Sequence, residues 1–224
     1  MENDNGEIPK QSTSEKFGRS DENSLRKSVA DKLKQGFETI ARELKRQQTD
    51  FSHHEQEDIE KRIVFDFAIQ HNLWINDLYT LGKPTHAGGY ENTLALDEET
   101  GFLYKSNNLF NAKFLISNLL EQIRLHNDLF PETYYELVGF TGFDNGKERI
   151  PYIEVILKQM YVDNVVQASE QEIMDFMNLL GFEKVGDAVF MNEKYVVADL
   201  HPRNVLKDEN GFIFVVDDIV TRRK

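Results

Sequence analysis

Apolar residues recur at three- and four-residue steps in the first third of the chain, then fall into short alternating or unbroken runs. Leu25, Val29, Leu33, Phe37, Ile40 and Leu44 make one helical stripe over residues 24–48. Ser52 and Glu55 have the spacing of a capping box, in which hydroxyl and carboxylate satisfy each other's backbone N–H groups. They predict a second helix over 52–71, through Ile59, Ile63, Val64 and Phe67, fading at His71 and Asn72. Residues 1–22 are too polar to bury a face and read as disordered, so 23–72 form a helical extension. From Leu73 the pattern changes to strands and turns. Residues 78–81 and 93–96 predict strands flanking "KPTHAGGYEN", and "LDEETG" turns the chain into a third strand at 102–105. A long amphipathic helix follows over 111–129, carrying Phe114, Leu115, Leu119, Leu120 and Ile123, and stops before Pro131. Residues 137–143 and 150–159 pair through "DNGKER", whose Asn145-Gly146 is a hairpin signal. Ser169 and Glu172 repeat the capping box ahead of a helix ending at Gly181. Strands close the chain at 188–191, 195–198, 205–206 and 212–216.

Composition narrows what such a chain can do. With 40% hydrophobic residues, 16 Phe and 8 Tyr in 224 residues, there is material for a real core. A formal charge of −13 argues against broad binding to nucleic acid, where lysines and arginines must neutralise phosphates. The absence of cysteine removes disulfides and thiolate metal sites and fits a reducing compartment. No apolar run approaches the roughly 20 residues of a membrane span, and the acidic start is no signal peptide. The expectation is a cytoplasmic protein without membrane contact. His53-His54 invites a metal reading, but neighbours on a helix point in different directions and serve one ion poorly.

Gly88 and Gly89 supply positive φ for a turn, or, functionally, bare amides that can approach phosphates. Lys105 ends the third strand and Glu121 lies mid-helix; each alone reads as a solvated surface residue. Together, a strand lysine held by a helix glutamate fixes an ammonium against phosphate oxygens. The stretch "VVADLHPRNVLKDENGFIFVVDDIV" says more. Asp199, Asn204 and Asp217 each stand at the mouth of a short β-branched run. Carboxylates gathered there repel unless a cation joins them, and Asp with Asn suits a hard ion such as Mg²⁺. Asp199 is then free to accept a hydroxyl proton. The plainer alternative is a pair of hairpins with acidic turn residues, the reading adopted for "DENG" at 208–211.

"ADLHPRNVLKDENGFIFVVDD" resembles the catalytic and metal-binding loops of the protein-kinase-like superfamily, in the style of aminoglycoside phosphotransferases. The order of elements upstream is similar to that family's, and the whole resembles the polyvalent protein kinases of bacterial mobile elements. The resemblance covers roughly 73–220. It implies an α+β kinase-like fold, with an antiparallel N-lobe sheet and one long helix at about 73–160 and a reduced C-lobe at about 161–220. It implies ATP and Mg²⁺ as cofactors and a hydroxyl on a protein as acceptor. Asp199 takes the place of the catalytic base, Asn204 and Asp217 of the Mg²⁺ ligands, and Lys105 of the phosphate-contacting lysine paired with Glu121. Gly88 and Gly89 would lie over the phosphates, while Met160 and Tyr161, in the linker from Gln159 to Val162, would pass the adenine. There are departures. Val197-Ala198 replaces the usual His-Gly or His-Arg, and Asp218-Ile219 replaces Phe-Gly. Asp218 is read as a turn residue in preference to a carboxylate supporting the metal ligands. The chain stops at Lys224, so the 24–48 and 52–71 helices or a second chain would have to form the acceptor platform. The rival reading is a catalytically inactive pseudokinase-like module that binds nucleotide or serves as a scaffold. A carboxylate-metal nuclease using Asp199, Asp217 and Asp218 fits the acidic charge poorly.

Overall fold

The computed structural model describes residue 31 and residues 52–85, 91–143 and 150–223. The expected 24–48 helix apart from residue 31, Gly88 and Gly89, and all of "DNGKER" lie outside the described residues.

Helix α1 (His53–Gln70) opens on the expected capping box: the Ser52 N–H donates to Glu55 Oε2 at 2.7 Å and the Glu55 N–H returns to Ser52 Oγ at 3.4 Å. It turns Val64 and Ala68 inward, both fully buried. The predicted strand at 78–81 is instead a 3-10 turn, Leu78–Thr80. Asp77 accepts the Tyr79 N–H at 2.9 Å, and this side-chain cap competes with ladder pairing. A sheet follows, built of β1 (Lys83–Pro84), β2 (Asn92–Asp97) and β3 (Phe102–Asn107). Helix α2 (Ile116–Leu129) comes next, then β4 (Glu136–Phe143) and β5 (Tyr152–Met160). The five strands run antiparallel in the order β1-β2-β3-β5-β4.

Helix α2 starts later than the periodicity predicts. Leu109, Lys113 and Phe114 take positive φ, so the apolar run beginning at 111 is loop until Ile116. No side chain of its own caps α2; the buried Glu60 of α1 does so, accepting the Ser117 N–H at 3.0 Å and the Ser117 hydroxyl at 2.6 Å. On the outer edge of the sheet, the Ile75 N–H donates to Phe140 O and the Phe140 N–H to Leu73 O. A Cβ on Gly139 would stand 2.3 Å from Leu73 O, so only glycine permits this approach.

The second half is made of β6 (Val166–Gln167), α3 (Glu170–Leu179), β7 (Glu183–Gly186), β8 (Val189–Met191), β9 (Tyr195–Ala198), β10 (Val205–Lys207), β11 (Ile213–Val215) and β12 (Ile219–Arg222). These give a four-stranded sheet, β12-β9-β8-β7, and a three-stranded one, β11-β10-β6, both antiparallel. The α+β class holds. Helix α2 serves both halves. Leu119 and Leu120 pack with Val64, Phe140 and Leu157, while Leu125 joins Ile173, Met177, Phe182 and Val215.

Candidate active site

Strand alternation puts Leu103, Lys105 and Asn107 on the face of the sheet that α2 covers. Lys105 sits mid-ladder between Leu94 and Leu157 and is only 5% exposed. Its Nζ donates to the Tyr135 hydroxyl and to Val216 O, both at 2.8 Å, and lies 4.8 Å from the centre of the Tyr135 ring. Burial lowers the pKa of this ammonium, against the pull of Asp217, Asp218 and Glu91. Two donors are engaged, which leaves the third for a ligand.

The acidic groups arise at element ends. Strand β9 stops at Ala198, and Asp199 follows in the left-handed region at φ 64°. The His201 N–H donates to Asp199 O, and a 3-10 turn with Pro202 at its first position delivers Asn204. The Asn204 amide donates to Asp199 O and Asp199 Oδ2, each at 2.8 Å. Both amide protons are thereby used, and Oδ1 remains an acceptor. The β10–β11 hairpin then returns the chain: Val205 pairs with Val215, so the residue before β10 and those after β11 end side by side. The Val216 N–H donates to Asn204 O at 2.9 Å. Burial raises the Asp217 pKa; Lys105 opposes this, and Asp218 and Asp199 add to it.

These residues line one cleft of about 1010 Å³, with Lys105, Asp199, Asn204 and Asp217 on its walls and Met160, Tyr161 and Val162 along one side. The Tyr161 N–H is already taken by Gly101 O at 2.9 Å. Among the described residues no three His, Asp or Glu side chains converge to hold a metal ion alone. A hard cation here would be shared by the Asp217 carboxylate, the free Asn204 oxygen and oxygens of a bound ligand, the mixed set that Mg²⁺ favours.

The expected Lys105–Glu121 pair does not form. Glu121 takes the Arg124 guanidinium at 2.9 Å and Arg222 of β12 at 3.1 Å. The face of α2 toward the lysine carries Leu119, Gln122, Ile123 and His126, and Glu121 falls off that stripe. The carboxylate on Lys105's side of the sheet is Glu91 instead. It accepts from Asn107 Nδ2 at 3.1 Å and from the Asn111 amide, and its pKa is raised, mainly by burial.

Asp218 is not a solvated turn residue. Its side chain is 1% exposed and bonded to Nδ1 of His126, itself 2% exposed. His126 Nε2 faces Thr133 O at 3.0 Å, the Thr133 hydroxyl donates to Val215 O at 2.6 Å, and the Tyr135 hydroxyl donates to Val216 O at 2.7 Å. His126, Thr133, Tyr135 and Glu91 went unnoticed in the sequence. The usable signal was His126 itself, which extends the Leu119–Ile123 stripe by one more helical step.

No curated protein matches this chain, and no solved structure does. A family model described as a serine/threonine/tyrosine kinase found in polyvalent proteins matches residues 56–223, from the first turn of α1 to the end of β12. With that match spanning both halves and the cleft between β3 and the β9–β12 segment, the chain belongs to the kinase family of polyvalent proteins.

Proposed function

We propose that the protein is a Mg²⁺- and ATP-dependent phosphotransferase that moves the γ-phosphoryl group to a hydroxyl, most naturally one on another protein. The observation that carries this reading is the meeting of a buried ammonium, an Asp–Asn pair and a half-buried carboxylate on one cleft. Asp199 is 31% exposed, within reach of an incoming hydroxyl whose proton it would accept. Asn204 and Asp217 would hold the cation, which supplies neutralisation of phosphate charge when bound. Lys105 offers its remaining proton to phosphate oxygens. Met160 and Tyr161 form the side along which a base would lie, and Gly88 and Gly89, which the sequence carries between β1 and β2, would lie over the phosphates. Arg203, 68% exposed and 3.7 Å from Asp199, is placed to meet an acidic group on the acceptor.

One feature favours the inactive alternative: Lys105 lacks the expected helix glutamate and rests on Tyr135 and Val216. A single assay separates the two. The protein is incubated with Mg²⁺ and γ-labelled ATP beside Asp199→Asn and Asp217→Asn. The phosphotransferase reading expects label transfer, reduced by a factor on the order of 10²–10⁴ in Asp199→Asn. Thermal stabilisation by Mg·ATP with no transfer establishes the binding module, and no response to nucleotide removes the phosphotransferase reading and leaves only a scaffold.

A further inference from the structure

Asp217 is held only indirectly. Among the described residues its carboxylate has no hydrogen-bond donor, so its direction depends on the backbone around it. That backbone is gripped on both sides. Before it, Val215 O takes the Thr133 hydroxyl, Val216 O takes Tyr135 and Lys105, and the Val216 N–H reaches Asn204. After it, the side-chain grip is the bond from Asp218 to His126 on α2.

That bond is an odd choice for stability alone. Both side chains are buried, and Asp218 Oδ2 has no hydrogen-bond partner among the described residues. An orphaned buried carboxylate oxygen is costly, and apolar residues of similar volume often serve a core as well or better than a buried charged pair. What the pair has over an apolar contact is direction. His126 Nε2 can face Thr133 O only as a donor, so the imidazole is oriented by two partners on opposite edges of the ring, Thr133 O and the Asp218 carboxyl. One of those partners belongs to the turn that holds Val215, the other to the residue after Asp217. The next residue, Ile219, pairs with Ala198, which precedes Asp199. A shift at Asp218 therefore reaches both acidic groups of the cleft.

We propose that His126 and Asp218 are positioning residues, a buried imidazole–carboxylate brace by which helix α2 holds Asp217 in register with Asn204 for cation binding. The inference rests on the phosphotransferase reading, because the orientation of Asp217 matters through the cation it would share.

The test compares two variants of the full chain. In Asp218→Asn the shape is kept and the amide can donate to Nδ1. The double variant His126→Leu/Asp218→Leu replaces the brace by packing. Binding of Mn²⁺·ATP is followed by electron paramagnetic resonance, the Mg²⁺ dependence of turnover by label transfer, and folding by thermal melting. The brace predicts a double variant that melts near the wild type, yet binds the cation complex and responds to Mg²⁺ roughly 10- to 100-fold more weakly. Asp218→Asn stays close to wild type in both. A double variant with wild-type cation binding overturns the brace, since packing alone then suffices. An Asp218→Asn as impaired as the double variant also overturns it, since charge and not position is then what counts. Should the double variant not fold, His126→Gln replaces it with the same expected direction, because both N–H groups of an amide leave one nitrogen, whereas the ring meets Asp218 and Thr133 from two nitrogens on opposite edges. Wild-type protein that binds no Mn²⁺·ATP defeats the phosphotransferase reading and this inference with it. Normal wild-type binding beside an unaffected double variant defeats the brace alone.

Discussion

The two walls of the cleft are built on different principles. Lys105 belongs to the middle of β3, with β2 on one side and β5 on the other, and its position is set by a ladder of paired residues. Asp199, Asn204 and Asp217 stand just outside β9, β10 and β11, where the ladders have ended. A few discrete bonds hold them. A misplaced lysine thus requires a damaged sheet, whereas the acidic groups can move while the fold stays whole. Damage to the first wall should register as lost stability, and damage to the second as lost chemistry.

The largest effect should come from the core of the first wall. Phe140→Ala empties a fully buried site between α1, α2 and the sheet and should cost about 3–5 kcal/mol in urea unfolding. If nucleotide affinity at low temperature fell as steeply as stability, the separation between the walls would be refuted. Tyr135→Phe attacks a hydroxyl that touches both walls, accepting from Lys105 and donating to Val216. It should cost about 1–3 kcal/mol and also weaken nucleotide binding, a mixed signature. Glu60→Ala strips the α2 N-terminus of its borrowed cap, with an expected loss of about 0.5–2 kcal/mol and little change in cation binding.

The smallest effect lies at α3. Glu172 is held down to a pKa of about 2, first by Lys207 and then by the Ser169 cap. A carboxylate with a lowered folded pKa stabilises the fold above its unfolded value of 4.5, and that contribution disappears as pH falls toward 2. Melts between pH 5 and pH 2 should show a slightly shallower acid loss in Glu172→Gln than in wild type. Being exposed, this pair should fade in high salt.

How much of this could be read in advance follows the same division. Both capping boxes, at Ser52 and Ser169, formed as their spacing required, because each is a local bargain between residues three apart. The "LDEETG" reversal put Lys105 in a strand, and the "DLHPRN" and "FVVDD" stretches were legible as loop and strand end. Their meeting depends on the Val205–Val215 register, which the short "KDENG" turn foreshadows. The failures were of long range. Residue type points to Glu121, but the face a helix presents is decided by what it packs against, and that face carries Gln122 and His126. Glu60 as a cap for α2, and Asp218 as a partner of His126, join residues far apart in the chain through burial alone. The last strand, β12, hid in "IVTR", too short to show a period.

The left-handed backbone of Asp199 has an evolutionary consequence. Most side chains resist that conformation, while glycine, asparagine and aspartate adopt it readily, and of the two replacements only asparagine keeps a side-chain oxygen, so fold and hydrogen bonding together favour asparagine at this position. Asparagine could still receive the Asn204 amide through its own oxygen, yet would lose the basicity. One nucleotide separates their codons. Lineages that shed transfer while conserving architecture would therefore be expected to carry asparagine there, an imprint that a genomic survey could count.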